Sequence, residues 1–327
     1  MAQVLEYIEG FDEVAGSDII IWGWSGGTPT IQTGRFSGNS CGLTNLNLLR
    51  GVPANAEYLV GFAWRPANAS SAQDLLRFFE GATEHGRFTY NGNGTFTISR
   101  GGNIPATSSA QGVATNGWYF IEVYYKCHDT TGAWEVRFNG VSIIGPTGSL
   151  DTRNGGTGVI DAISLRSNVG TRQDFDDVYL ASGGSAFYGD CRVLTKFPTA
   201  DGTNVDLTPS TGGTHFDDVD DATPNSDTDY VSSGVSGLRD SFTFPALGLT
   251  GTVIGVQPSF VAEKTDAGVR SAGTVIRRGG VNYDGNSQTL GAVYGGFAQV
   301  YETDPNTSAA WTVANVNAAE FGVKVTA

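Results

Sequence analysis

Between Tyr119 and Phe138 the side chains alternate with a period of two, and this pattern commits the segment to extended structure. Tyr119, Ile121, Val123, Tyr125 and Cys127 alternate with Phe120, Glu122, Tyr124 and Lys126. Successive side chains of a strand leave on opposite faces, so such a run presents one face to a core. The turn-like His128-Asp129-Thr130-Thr131-Gly132 follows, and Trp134, Val136 and Phe138 then alternate with Glu135 and Arg137. Asn139-Gly140 comes next, a dipeptide suited to a two-residue hairpin turn, ahead of Val141-Ser142-Ile143-Ile144. The reading is three strands of an antiparallel meander.

No helical period of useful length occurs elsewhere. Residues 71–80 are the best helix candidate and read equally well as a strand. Further strand candidates are 191–196, 241–244, 253–261, 273–277 and 321–325, with Trp311 anchoring a strand or short helical turn before the last. Glycine supplies 46 of 327 residues, roughly twice average usage and without a collagen period, which fits many tight turns. Short strands punctuated this often build a sandwich or barrel, so the expected class is all-β. Ala181-Ser182-Gly183-Gly184-Ser185 separates two β-rich blocks. Boundaries fall in such segments, and the expected domains are 1–185 and 186–327.

Hydrophobic residues make up 39% of the chain, enough to bury a core. The formal charge of −14 argues against nucleic acid or an anionic membrane as partner, because both need basic patches. No window approaches the ~20 apolar residues of a membrane span. Met1-Ala2-Gln3-Val4-Leu5 lacks the charged and apolar regions of a signal peptide. The expectation is synthesis in a cytoplasm. Cys41, Cys127 and Cys191 are odd in number and far apart, which suits neither a disulfide framework nor a zinc site.

Chemistry-bearing motifs are sparse. His85, His128 and His215 share no metal or triad spacing, and His128 and His215 read as turn residues. The chain has no G-x-S-x-G elbow and no phosphate loop, since Ser25-Gly26-Gly27 lacks the required lysine. Asp217, Asp218, Asp220, Asp221, Asp227 and Asp229 put six carboxylates in thirteen residues. Hard oxygen ligands on a loop suit Ca²⁺, so Asp217, Asp218, Asp220 and Asp221 are the candidate metal ligands, against the plainer reading of a solvated acidic loop. No other cofactor is expected. Trp22 and Trp24 flank Gly23 and share a face; they are candidates for stacking on a sugar or lining an interface, against burial in a core. Trp311 and Phe321 are the interface candidates of the second half.

Several of these segments together carry a resemblance. Glu9-Gly10-Phe11-Asp12 resembles the opening strand of a concanavalin A-like (laminin-G-like) jelly roll, and Thr33-Gly34-Arg35-Phe36 the next. Gly117-Trp118-Tyr119-Phe120-Ile121-Glu122-Val123, Trp134-Glu135-Val136-Arg137-Phe138-Asn139-Gly140 and Phe175-Asp176-Asp177-Val178-Tyr179-Leu180 are similar to later strands, in order. The resemblance covers residues 1–185 and implies a jelly-roll sandwich followed by a second β-sandwich-like domain. The following Phe187-Tyr188-Gly189-Asp190-Cys191-Arg192-Val193 and the closing segment 311–325 resemble virion structural proteins of tailed bacteriophages.

That resemblance implies a non-enzymatic tail-tip, fibre or capsid-surface component, located in the virion. Its partners would be other virion proteins, copies of itself in a symmetric oligomer with a trimer favoured, and host-surface glycan. The alternatives are a free carbohydrate-binding lectin and a glycan hydrolase or lyase. Retaining glycosidases of this fold class carry E-x-D-x-(x)-E on one strand; Glu9, Asp12 and Glu13 have the wrong spacing, and Asp174, Asp176 and Asp177 lack the upstream glutamate.

Overall fold

The computed structural model describes residues 2–327, which divide into two compact units, one ending at Val193 and one spanning Leu194–Ala327. The first is an antiparallel sandwich of two sheets. Its strands are β1 (Val4–Glu9), β2 (Trp24–Gly26), β3 (Thr30–Thr33), β4 (Asn39–Leu43), β5 (Leu46–Asn55), β6 (Glu57–Pro66), β7 (Gln73–Glu80) and β8 (Thr83–Tyr90), followed by β9 (Phe96–Arg100), β10 (Asn103–Thr107), β11 (Tyr119–Lys126), β12 (Gly132–Phe138), β13 (Val141–Leu150), β14 (Ile160–Ser167) and β15 (Gln173–Ser182). Among the described residues, eight form one sheet in the order β13-β12-β11-β6-β15-β4-β3, with β1 also on β15. Seven form the other, in the order β10-β9-β8-β7-β14-β5-β2.

Aromatic side chains join the two sheets. Trp64 on β6 meets Tyr90 and Phe96 of the opposite sheet, with ring centroids 5.1 and 5.9 Å away. Phe78 on β7 stacks on Tyr125 of β11 at 5.0 Å. Offset and edge-on ring pairs of this kind add stability beyond the area they bury. The meander expected from the alternation is present: β11 pairs with β12 in uninterrupted register from Ile121↔Phe138 to Lys126↔Ala133. Asn139 and Gly140 both take positive φ, 49° and 80°, as the two-residue turn between Phe138 and Val141 demands. Residues 71–80 resolve as the strand β7.

The first unit continues past the expected limit at 185. Gly189 N–H donates to Glu122 at 2.8 Å, Arg35 forks onto Asp190 with two 2.6 Å bonds, and Val193 N–H donates to Asp177 at 2.8 Å. Tyr188 packs edge-on against Tyr179, and the Arg137 guanidinium lies over Phe187. Residues 186–193 thus run as a strap on the outer face of the eight-stranded sheet. The strand expected at 191–196 does not form, because the Val193 N–H goes to a carboxylate instead of a ladder.

The second unit is built on a six-stranded antiparallel sheet in the order Ala200–Val205, Arg239–Thr243, Glu320–Val325, Ser271–Arg278, Val281–Asp284, with Gln288–Thr289 also on Ser271–Arg278. Three two-stranded ribbons complete it among the described residues. The expected strand at 253–261 is confined to Ser259–Ala262 and a single bridge from Val256 to Tyr301. Trp311 precedes the short helix Val313–Asn317, whose first turn is capped by the Thr312 hydroxyl accepting from Asn315 N–H. No helix of the described residues is long and apolar enough to cross a membrane.

Candidate functional site

The seven-stranded sheet has one apolar and one polar face, and the period of two decides which residue goes where. Leu76, Phe78, Phe88, Phe96, Ile98, Ile163 and Leu165 are buried in the core. Their alternating neighbours Arg77, Arg87, Thr89, Thr97, Ser99, Ser164 and Arg166 occupy the other face. Register aligns them in rows: Ser164 faces Arg77, Arg77 faces Arg87, and Arg87 faces Ser99. In the next row Asp74 faces Thr89, which faces Thr97.

Two arginines directly opposite one another repel. Glu84 separates them, accepting from Arg77 Nη1 at 2.7 Å and from Arg87 Nε and Nη2 at 2.8 and 3.2 Å. Asp74 accepts from the Arg77 guanidinium and from Thr89 Oγ1, the latter at 2.9 Å. The long side chains shelter what lies beneath: Ser164 is 2% exposed and Asp74 6%. Thr97 Oγ1 lies 3.0 Å from Thr107 Oγ1 and accepts from Asn91 Nδ2 at 2.9 Å. The face therefore carries hydroxyls, guanidiniums and carboxylates already fixed by their neighbours.

Arg166 stands apart in this lattice. Its Nε, like that of Arg77, is buried without a hydrogen-bond partner, but unlike Arg77 it bonds no carboxylate, the nearest carboxylate oxygen, on Asp74, being 4.0 Å away. Burial pushes its pKa below the ordinary arginine value, and the charge of Arg77 adds to this. The sequence reading left these residues ungrouped. The signal was the alternation in 83–90 paired with 73–80, and it was hidden because 71–80 fitted helix and strand equally.

The residues singled out from sequence lie elsewhere. Trp24 is 1% exposed, packed on Tyr7 and Phe11, and donates to Glu9 at 3.2 Å. Trp22 is 9% exposed. Neither offers a flat ring to a sugar or a partner, so both expectations are corrected: large aromatics at the sandwich edge are drawn into the core. Trp311 is likewise buried, with Nε1 donating to Tyr301 O at 3.0 Å and Ile276 and Ala319 as core neighbours, which corrects its assignment to an interface. Phe321 is half-buried against the same cluster.

In the acidic loop, Asp218 turns inward to accept from Thr211 and Ser210, whereas Asp217 accepts from Thr214 and Asp220 and Asp221 are exposed. Asn225 bridges Asp221 and Asp229. The loop thus does not bring Asp217, Asp218, Asp220 and Asp221 together, and among the described residues no group of three His, Cys, Asp or Glu side chains has metal-holding geometry.

The carboxylates at the start of β15 hold the sandwich together. Asp174 is buried between Arg65 and Arg172, each at 2.8 Å. Asp176 accepts from the backbone N–H of Arg35 at 2.7 Å and of Asp177 at 2.8 Å. Burial, together with the charge of Asp177, still pushes the Asp176 carboxyl up to about 8, and burial takes Asp177 up to about 6. Glu9 is occupied by three donors, Tyr7 Oη, Phe11 N–H and Trp24 Nε1. Buried His85 lies between Glu80 and Asn154, His128 caps an exposed turn, and His215 Nδ1 is 2.7 Å from Asp240.

No protein-family model matches the chain, and no curated protein matches it. Solved structures with some likeness include a sialidase at 12% identity, covering 54% of this chain and 18% of its own, with a TM-score of 0.39. Domain 4 of the extracellular arabinanase AbnA from Geobacillus stearothermophilus, in complex with arabinotriose, is 13% identical, covering 55% and 93%, with a TM-score of 0.38. A carbohydrate esterase from the Shiga toxin-encoding bacteriophage phi24B is 10% identical, covering 56% and 100%, with a TM-score of 0.39. The chain spans less than a fifth of that sialidase. Likeness at this level says nothing of substrate or activity.

Proposed function

We propose that the chain is a non-enzymatic structural component of a tailed-phage virion whose sandwich unit docks host-surface glycan on the polar face of its seven-stranded sheet. The observation that carries the docking reading is the patch of accessible polar groups already held on this face, Arg77 and Arg87 on Glu84, Thr89 on Asp74 and Thr97 on Asn91. Sugars present dense hydroxyls, and binding them costs less when the protein's polar groups are already held in place. Against hydrolysis stands the use of both carboxylates of this face, since Asp74 and Glu84 are bound by arginine. A glycosidase needs two that address the sugar. The virion part rests on the sequence resemblance of the strap and of the closing segment.

The test is a glycan array probed with the whole chain and with Thr97→Trp, which fills this face with a ring. Glycan retention that the substitution abolishes, with no reducing ends released, is expected. Retention of nothing, or retention indifferent to Thr97→Trp, overturns the docking site. Detection of the chain by mass spectrometry in density-banded particles supports the virion role; its absence from such particles overturns it.

A further inference from the structure

The polar face of the sandwich has an unbalanced charge. Arg77, Arg87 and Arg166 share the two carboxylates Asp74 and Glu84. Arg77 uses both, and Arg87 forks onto Glu84, so the pairs are consumed. Arg166 is left with a carboxylate oxygen no closer than 4.0 Å and a buried, unpartnered Nε. Its side chain remains 30% exposed and that of Arg87 32%, so both can be reached from outside. A buried donor without a partner and a cation repelled by its neighbours are each unfavourable. A planar anion set against the exposed part of the Arg166 side chain relieves the repulsion. In a chain of net charge −14, a local excess of guanidinium is also a selective feature, since anions are turned away elsewhere.

We propose that Arg166, with Arg87 beside it, seats the carboxylate of an acidic sugar. This rests on the reading that the face docks glycan, and it names the class of glycan. The fork of a guanidinium matches a carboxylate in plane and spacing, which a lysine at the same place would not.

The experiment measures binding of oligosaccharides bearing galacturonate, glucuronate or sialate, each beside its methyl ester, which keeps the sugar skeleton and removes the charge. The parent chain and Arg166→Gln are compared by titration calorimetry. At least one acid is expected to bind about tenfold more tightly than its ester, the worth of one charge-assisted pair. Added salt should shrink that gap, and Arg166→Gln should erase it. The substitution removes a charge that Arg77 repels, so its thermal midpoint is expected at or above the parent's, which separates loss of binding from loss of fold. Equal binding of acids and esters overturns the acidic class while leaving a glycan-docking face. An acid preference that survives Arg166→Gln places the anion elsewhere and overturns the site. Binding of no oligosaccharide overturns both this inference and the docking reading beneath it.

Discussion

The Tyr179 hydroxyl donates to Glu122 Oε1 at 2.6 Å across a glycine, because Gly61 on β6 is the register partner of both residues. The same carboxylate oxygen accepts Gly189 N–H at 2.8 Å, so one buried glutamate ties the outer face of the eight-stranded sheet to the 186–193 strap. Tyr179→Phe removes the hydroxyl and leaves Glu122 with fewer donors. We expect a loss of about 1–3 kcal/mol in urea unfolding, the usual consequence of under-satisfying a buried polar group. Faster proteolysis within 186–193 should accompany it. An unchanged midpoint with an unchanged cleavage rate would show that the strap is held by its other contacts.

Gly61 is required by that same crossing. A Cβ added there would sit 2.0 Å from Tyr179 Cε1, a separation no packing tolerates. Gly61→Ala should cost about 1–3 kcal/mol, as overpacking of a filled site does. Cutting the ring back with Tyr179→Ala makes room, so the double substitution should cost less than the sum of the two singles. Strict additivity in that cycle would refute the steric account.

Much of this was legible in the sequence, and the gaps have physical causes. The alternation from Tyr119 to Phe138 prescribes β11 and β12, and Asn139-Gly140 prescribes their continuation into β13, because each rule is local. The strap was not legible as part of the sandwich: its partners Glu122, Asp177 and Arg35 are remote in sequence, and Phe187 and Val193 read equally well as the opening of another domain. Trp22 and Trp24 stayed open between a sugar face, an interface and the core for a related reason. A tryptophan beside glycines looks exposed until Glu9 and Tyr7 are known to close over it. The arginine lattice needed the register of β7, β8 and β14, which only tertiary pairing supplies.

Acidity should stabilise the sandwich over part of the pH range, contrary to the habit of carboxylates. Asp176 is held up to about 8 by burial and by Asp177, with Asp12 adding to the effect; Asp177 is held up to about 6, chiefly by burial. Both folded values exceed the unfolded one near 4. The folded chain therefore holds protons that the unfolded chain releases, and stability falls as pH rises from about 4 to about 8. Each extra proton contributes a slope of about 1.4 kcal/mol per pH unit while it is held. The strongly paired Glu80, lowered to about 2, acts below this window and does not mask it. Urea midpoints at pH 5 should exceed those at pH 8, and Asp176→Asn should flatten the trend by about one proton. A midpoint that rises between pH 5 and pH 8 would contradict the sign.

The second unit is expected to need copies of itself. Its buried apolar residues, among those described, are Leu207, Phe242, Ala272, Val275, Ile276, Trp311 and Ala319, a small set beside that of the sandwich. Glu320–Val325, a central strand of its sheet, is only half-buried along its whole length. A chain of this size ordinarily buries roughly two thirds of its unfolded surface, and the hydrophobic return from so few core residues is correspondingly thin. Val269 and Val293 are each 75% exposed, and Val205, Val235 and Val281 are exposed as well. Association through closed symmetry would cover such residues, with a trimer the expected order by resemblance to phage appendages. Light scattering at micromolar concentration should give the mass of an oligomer. Val269→Asp and Val293→Asp together should lower that mass and expose Leu194–Ala327 to protease, while the sandwich unit stays resistant. A monomer whose second unit resists protease unaided would show that its modest core suffices and that the exposed valines need no cover.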